Sequence, residues 1–146
     1  MAKLGRYSAD RKKIATITKG QAIEVSDCGT IFILNPSAAS TLTLPKIADA
    51  GPGWWCKFIF HQKNANANDI TINTSGGDGI VVTNAPASGS TRAKCSGSLG
   101  IVDGNSLKLD VSEGAMGDTL ELITDGSTGW FGSAILSGSG FLIDAG

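Results

Sequence analysis

Histidine is almost missing from this chain: His61 is the only one. General acid–base and nucleophilic centres lean on histidine near neutral pH. Any Ser–His or Cys–His arrangement would therefore have to use this one residue. Cysteine is sparse as well. Cys28, Cys56 and Cys95 form an odd set without close pairs, which speaks against a tetrahedral zinc site. It suits thiols serving as small core residues in a reducing compartment, with a single disulfide left open. Charge is thin too. Asp, Glu, Lys and Arg make up 17% of the residues, against about 25% in a typical soluble domain. The net charge of −1 leaves no overall field that would select nucleic acid or a membrane surface. No apolar run approaches the ~18 residues of a membrane span, and no apolar segment of a secretory signal is visible near residue 1. The expectation is a cytoplasmically synthesised, non-catalytic protein with no metal, no cofactor and no membrane partner.

What is present is sheet and turn. The 146 residues include 20 glycines, which suit tight turns, and a chain of this length fits one domain. Strand signals begin at Ile14 and recur at short intervals. Ile14–Thr18, Ala22–Val25, Thr41–Leu44 and Asp69–Asn73 are β-branched or alternating, and Thr30–Leu34 is a continuous apolar run short enough for a strand buried on both faces. The stretch Trp54–His61 is the longest candidate. Its alternation puts Trp54, Cys56, Phe58 and Phe60 on an inner face and Trp55, Lys57, Ile59 and His61 on the other. Ile80–Thr83, Leu107–Val111, Thr119–Thr124 and Trp130–Leu136 complete the set. Only Pro45–Ala50 offers a helical turn, and no repeat period stands out. Eight to ten short strands predict an all-β fold: an antiparallel sandwich, jelly-roll-like, or a small barrel. The body is expected over 14–136, between a flexible basic N-terminal arm, 1–13, and a Gly/Ser-rich tail, 137–146.

Several constellations have residue types that could carry chemistry. Cys56 and His61 are five apart, so on one strand they point to opposite faces. Asp110, Glu113, Asp118, Glu121 and Asp125 cluster in sequence, as a glycosidase pair would. Alternation turns Asp110 and Glu121 outward, and Asp118 and Asp125 fall in turns, so solvated positions are expected. The Gly76-Gly77-Asp78-Gly79 loop lacks the lysine and helix of a phosphate loop. Two features point instead to binding. Lys3, Arg6, Arg11, Lys12 and Lys13 concentrate five of the twelve basic residues in the arm. They suit docking on an acidic protein surface; nucleic acid is not the expected partner, because Tyr7 is the only ring near them. Trp54 and one other tryptophan are expected in the core. Trp55, beside the polar Lys57 and His61, is expected at an interface.

Two segments carry a family resemblance. The first runs through Thr41-Leu42-Thr43-Leu44-Pro45, Asp49-Ala50-Gly51-Pro52-Gly53, Trp55–Phe60 and Asp69-Ile70-Thr71-Ile72. The second is Gly117-Asp118-Thr119-Leu120-Glu121-Leu122, Asp125-Gly126-Ser127-Thr128 and Trp130. Together, over about residues 41–136, they resemble small β-modules of tailed-phage structural proteins, most like head decoration (cement) proteins, and also tail-fibre heads. The chain lacks the long repetitive shaft of a fibre. The resemblance carries no catalytic residues. It implies a capsid decoration protein on the outer surface of the virion, partnered by the major capsid protein and by itself as a homotrimer. The protein would stabilise the head against the pressure of packaged DNA, with the arm reaching onto the shell. The alternative it implies is a tail-fibre or baseplate receptor-binding module, with Trp55 against a glycan.

Overall fold

The computed structural model describes residues 11–61, 69–86, 106–109, 116–136 and 141–144. Among them eleven strands form two mixed sheets. The strands are β1 (Lys13–Ile17), β2 (Gln21–Ala22), β3 (Thr30–Leu34), β4 (Ser40–Thr43), β5 (Trp55–Phe60), β6 (Ile70–Asn73), β7 (Gly79–Pro86), β8 (Ser106–Leu109), β9 (Thr119–Thr124), β10 (Gly129–Leu136) and β11 (Phe141–Asp144). A 3-10 turn covers Val25–Asp27, and one short helix, α1, covers Ile47–Ala50. The six-stranded sheet runs β1-β3-β5-β9-β10-β7, and the five-stranded sheet runs β11-β8-β6-β4-β2.

The first half of the chain is a coil. Each turn lays one strand in each sheet, so β1, β3 and β5 stack parallel in one and β2, β4 and β6 stack parallel in the other. The corner between β1 and β2 is tight. A side chain at Gly20 would put its Cβ 2.7 Å from the Thr41 carbonyl oxygen of the next turn. After β6 the pattern changes. β8 pairs antiparallel with β6, and the β9–β10 hairpin lies between β5 and the parallel edge strand β7.

The all-β class expected from the sequence is therefore what the structure has, but the expected antiparallel pairing is not. Among the described residues five strand pairs are parallel and four antiparallel. The reason is connectivity. A strand followed by its partner across the core, rather than by a hairpin, meets its sheet neighbour one full turn later, running the same way. Lys13, assigned to the arm from sequence, opens β1, and Phe141–Asp144, within the expected tail, is an edge strand.

The two sheets share one core. β3 contributes Phe32 and Leu34, β5 Cys56, Phe58 and Phe60, and β9 Leu120 and Leu122. Leu42, Ile70, Ile72 and Leu107 come from the five-stranded sheet. Phe32 and Phe58, register partners, stack with ring centroids 5.5 Å apart. Trp54 meets Trp130 edge-on at 5.3 Å, a geometry favoured by the ring quadrupoles. The Trp54 indole N–H donates to the Val25 carbonyl at 2.7 Å, whereas the buried Trp130 indole N–H finds no acceptor among the described residues.

Two carboxylates fasten surface turns. The Asp27 side chain accepts from the Glu24 N–H at 3.0 Å and pairs with the Lys13 ammonium at 3.0 Å. Burial opposes its ionisation, but these partners outweigh that and hold its carboxyl below the usual range. Asp125 accepts from the Thr128 and Ser127 N–H groups at 2.7 and 2.9 Å, which holds it far below that range. A depressed folded pKa contributes stability that is present above the unfolded value and lost as pH falls through the folded one. Stability is thus expected to decline below about pH 4. Asp125→Ala should flatten that acid limb, read as the denaturation midpoint between pH 7 and pH 2. An unchanged acid limb would contradict the role given to Asp125.

Candidate functional site: the outer face of the six-stranded sheet

The two sheets differ in what they show to solvent. The outward positions of β4 and β6 are Thr41, Thr43, Thr71 and Asn73, exposed or half-buried and polar. That is the ordinary solvated face of a sheet. The six-stranded sheet is different. Because alternation buries one residue in two, its outward set is fixed by register, and that set is apolar in two of its three rows.

One row crosses β5, β9, β10 and β7 as Trp55, Ile123, Phe131 and Val81. Another crosses β1, β3, β5, β9 and β10 as Thr16, Ile33, Ile59, Thr119 and Ile135. Between them lies the row Ile14, Ile31, Lys57, Glu121 and Ser133. Ile14 is 63% exposed, Ile135 65%, Ile123 46% and Phe131 40%. Scattered exposed apolar residues are normal, but apolar residues brought into register on neighbouring strands make a candidate interaction surface. Lys57 and Glu121 sit directly opposite each other across β5 and β9, the one charged pair in the middle row.

The residues singled out from sequence fall as follows. Trp55 and Lys57 lie on this face, half-buried. His61 is exposed one residue past β5, its N–H donating to the Leu34 carbonyl at 3.1 Å. Lys3 and Arg6 lie outside the described residues. Arg11 is exposed, and the Lys12 ammonium stands 5.5 Å from the Trp55 ring centroid, within cation–π range. Lys13 is held by Asp27. The base of the basic segment thus touches a corner of the apolar face.

The constellations with catalytic residue types come apart in the fold. Cys56 is fully buried on the inner face while His61 is exposed. Burial pushes the Cys56 thiol well above its ordinary range, and a thiol held protonated is a poor nucleophile. Glu121 is on the outer face and Asp125 is tied into its turn. Asp118, expected in solvent, is buried at 7% exposure beside the start of β9, where its carbonyl accepts from the Phe60 N–H at 2.9 Å. Asp110, Glu113 and Cys95 lie outside the described residues. No group of three or more His, Cys, Asp or Glu among the described residues could hold a metal. No helix among them is long and apolar enough to cross a membrane.

Sequence reasoning missed Ile31, Ile33, Ile123, Phe131 and Ile135 as members of this face. Thr30–Leu34 was expected to be buried on both faces, yet Ile31 and Ile33 are only half-buried, because nothing among the described residues covers that side. The available signal was isoleucine at outward positions of several strands. It becomes a surface only when register aligns them. Comparison of the chain with known protein families and with curated proteins finds no match.

Proposed function

We propose that this chain is a structural, non-catalytic component of a virus particle: a decoration module on the outer surface of a tailed-phage head, bound to the major capsid protein. The observation that carries the reading is the apolar outer face of the six-stranded sheet, with Lys12 at its corner. A sheet face rich in isoleucine and aromatic side chains suits assembly with protein chains, copies of this one included, rather than enclosing a small substrate, and leaves the basic segment to make the capsid contact. The phage setting comes from the sequence resemblance over residues 41–136. A decoration layer needs no deep pocket and no reactive group. It needs many copies of a modest contact, which avidity multiplies. The basic segment supplies an electrostatic handle on an otherwise near-neutral protein.

Purified chain added to heads that lack it should co-sediment with them and raise the temperature at which they release DNA. A variant lacking residues 1–11 should stay folded, because Lys13 and its pairing with Asp27 are kept, and should lose head binding. Undiminished binding would remove the arm's role; no binding by the full chain would defeat the reading. The half-buried Trp55, lying on the outer face, favours a second reading, a receptor-binding module of the tail. Trp54 and Trp130 are buried, so a glycan stacked on Trp55 would change the emission of that tryptophan alone. Saturable emission change with a glycan, without head binding, would move the assignment to the tail.

A further inference from the structure

We propose that the outer face of the six-stranded sheet docks a second copy of this chain across a two-fold axis running along the strands between β5 and β9. The proposal rests on reading this face as an assembly surface and names its occupant. Two sheets packed face to face by symmetry have their two-fold axis in the plane between them, and the axis direction decides which residues meet. An axis perpendicular to the strands through the middle row would set Lys57 against Lys57 and Glu121 against Glu121. An axis along the strands, midway between β5 and β9, sets Lys57 of one copy against Glu121 of the other, twice. Like charges across an interface are penalised and opposite ones favoured, so the charge pair selects the second axis.

That axis is also the midline of the sheet. Three strands lie on each side of it, in the order β1-β3-β5 and β9-β10-β7. Under it β5 faces the partner's β9, and β3 faces the partner's β10. Trp55 then meets Ile123, and Ile33 meets Ile135, so the exposed Ile123 and Ile135 each gain an apolar partner. The sheets would pack nearly aligned, about 10 Å apart. The size is adequate. Six strands span roughly 29 Å and six residues roughly 20 Å, giving about 600 Å² per copy and about 1,200 Å² for the pair, the lower end of specific interfaces. A concentration-dependent dimer follows.

Sedimentation equilibrium of the full chain, with folding checked by the emission of the buried tryptophans, tests this. Wild type should show twice the chain mass at high concentration. Lys57→Glu and Glu121→Lys should each weaken dimerisation, by roughly tenfold or more. Each also disturbs the pair within its own chain, so the decisive sample is the mixture of the two single variants. Mixing leaves each chain's own pair unchanged but restores both contacts across the two-fold, and dimers should reappear as heterodimers. A monomer at every concentration, a trimer, or a mixture no tighter than its components would overturn the proposal. Head binding is read separately: a monomeric chain that binds heads would defeat the pairing alone, and a dimer that binds none would leave the pairing standing and defeat the decoration reading.

Discussion

Trp130→Ala is expected to lower stability by about 3–5 kcal/mol, the range for removing a large aromatic from a core. Trp130 is fully buried near the start of β10, between β9 and the edge strand β7 of the larger sheet. It is flanked in register by Thr124 on β9 and Ile80 on β7, both buried, and meets the Trp54 ring at 5.3 Å. Its loss opens a cavity that three strands cannot close together. Against a total of about 5–15 kcal/mol for a domain, that is a large share. Trp130→Phe should be far milder. Its N–H has no acceptor among the described residues, so removing it relieves an unsatisfied donor of about 1–3 kcal/mol and offsets much of the lost ring. Trp54→Phe should cost more than Trp130→Phe, because it removes the 2.7 Å hydrogen bond from the Trp54 N–H to the Val25 carbonyl and leaves that carbonyl only the longer 3.4 Å bond from the Cys28 N–H. Chemical denaturation of the three variants checks the order. A Trp130→Phe variant as unstable as Trp130→Ala would contradict it.

Gly126→Val should be comparably damaging, about 3 kcal/mol or more, by a different route. Gly126 sits in the β9–β10 turn at φ 78°, a conformation that costs a side-chain-bearing residue about 1–2 kcal/mol. A Cβ there would also lie 2.7 Å from the Pro52 nitrogen and 2.9 Å from the Gly51 carbonyl carbon. Those are backbone atoms, so relief requires moving the 51–53 segment. That segment is pinned to the sheet by the Gly53 N–H donating to the Thr124 carbonyl at 2.9 Å. Overpacking of this kind adds about 1–3 kcal/mol. Gly53→Ala is the control. Its φ is 86°, but a Cβ meets nothing within 4 Å, so only the conformational cost applies. Equal losses at the two sites, by thermal or urea denaturation, would refute the crowding at Gly126.

The inner face of this fold was legible in the sequence, and the strand directions were not. Alternation along Trp54–Phe60 separates the buried Trp54, Cys56, Phe58 and Phe60 from the half-buried Trp55, Lys57 and Ile59, because hydrophobic period reports which side is buried. It says nothing about which way a neighbour runs. The coil could have betrayed itself as a repeat, but its turns are unequal. Lys13 pairs with Thr30, seventeen positions on, whereas Thr30 pairs with Cys56, twenty-six on. Unequal corner lengths erase a fixed period while leaving register intact. The short helix at Ile47–Ala50 falls within the Pro45–Ala50 turn expected from sequence, and its first N–H donates to Asp78 at 3.1 Å. That long-range partner has no local signature.

The candidate surface was only half legible for the same reason. Trp55 and Lys57 are noticed as oddities on one strand. Ile123, Phe131 and Ile135 look like ordinary strand residues until β9 and β10 are placed beside β5. Phe131 follows Trp130 in sequence, yet one is exposed and the other fully buried. The pairing of Lys57 with Glu121, sixty-four positions apart, exists only in the folded sheet.

The claim that this protein works as a layer on an assembled particle is tested most directly by locating it. Particles from the native source, labelled with gold-conjugated antibody against this chain and viewed by electron microscopy, should carry label regularly over the head faces. Label confined to the tail, or particles that carry none, would contradict it.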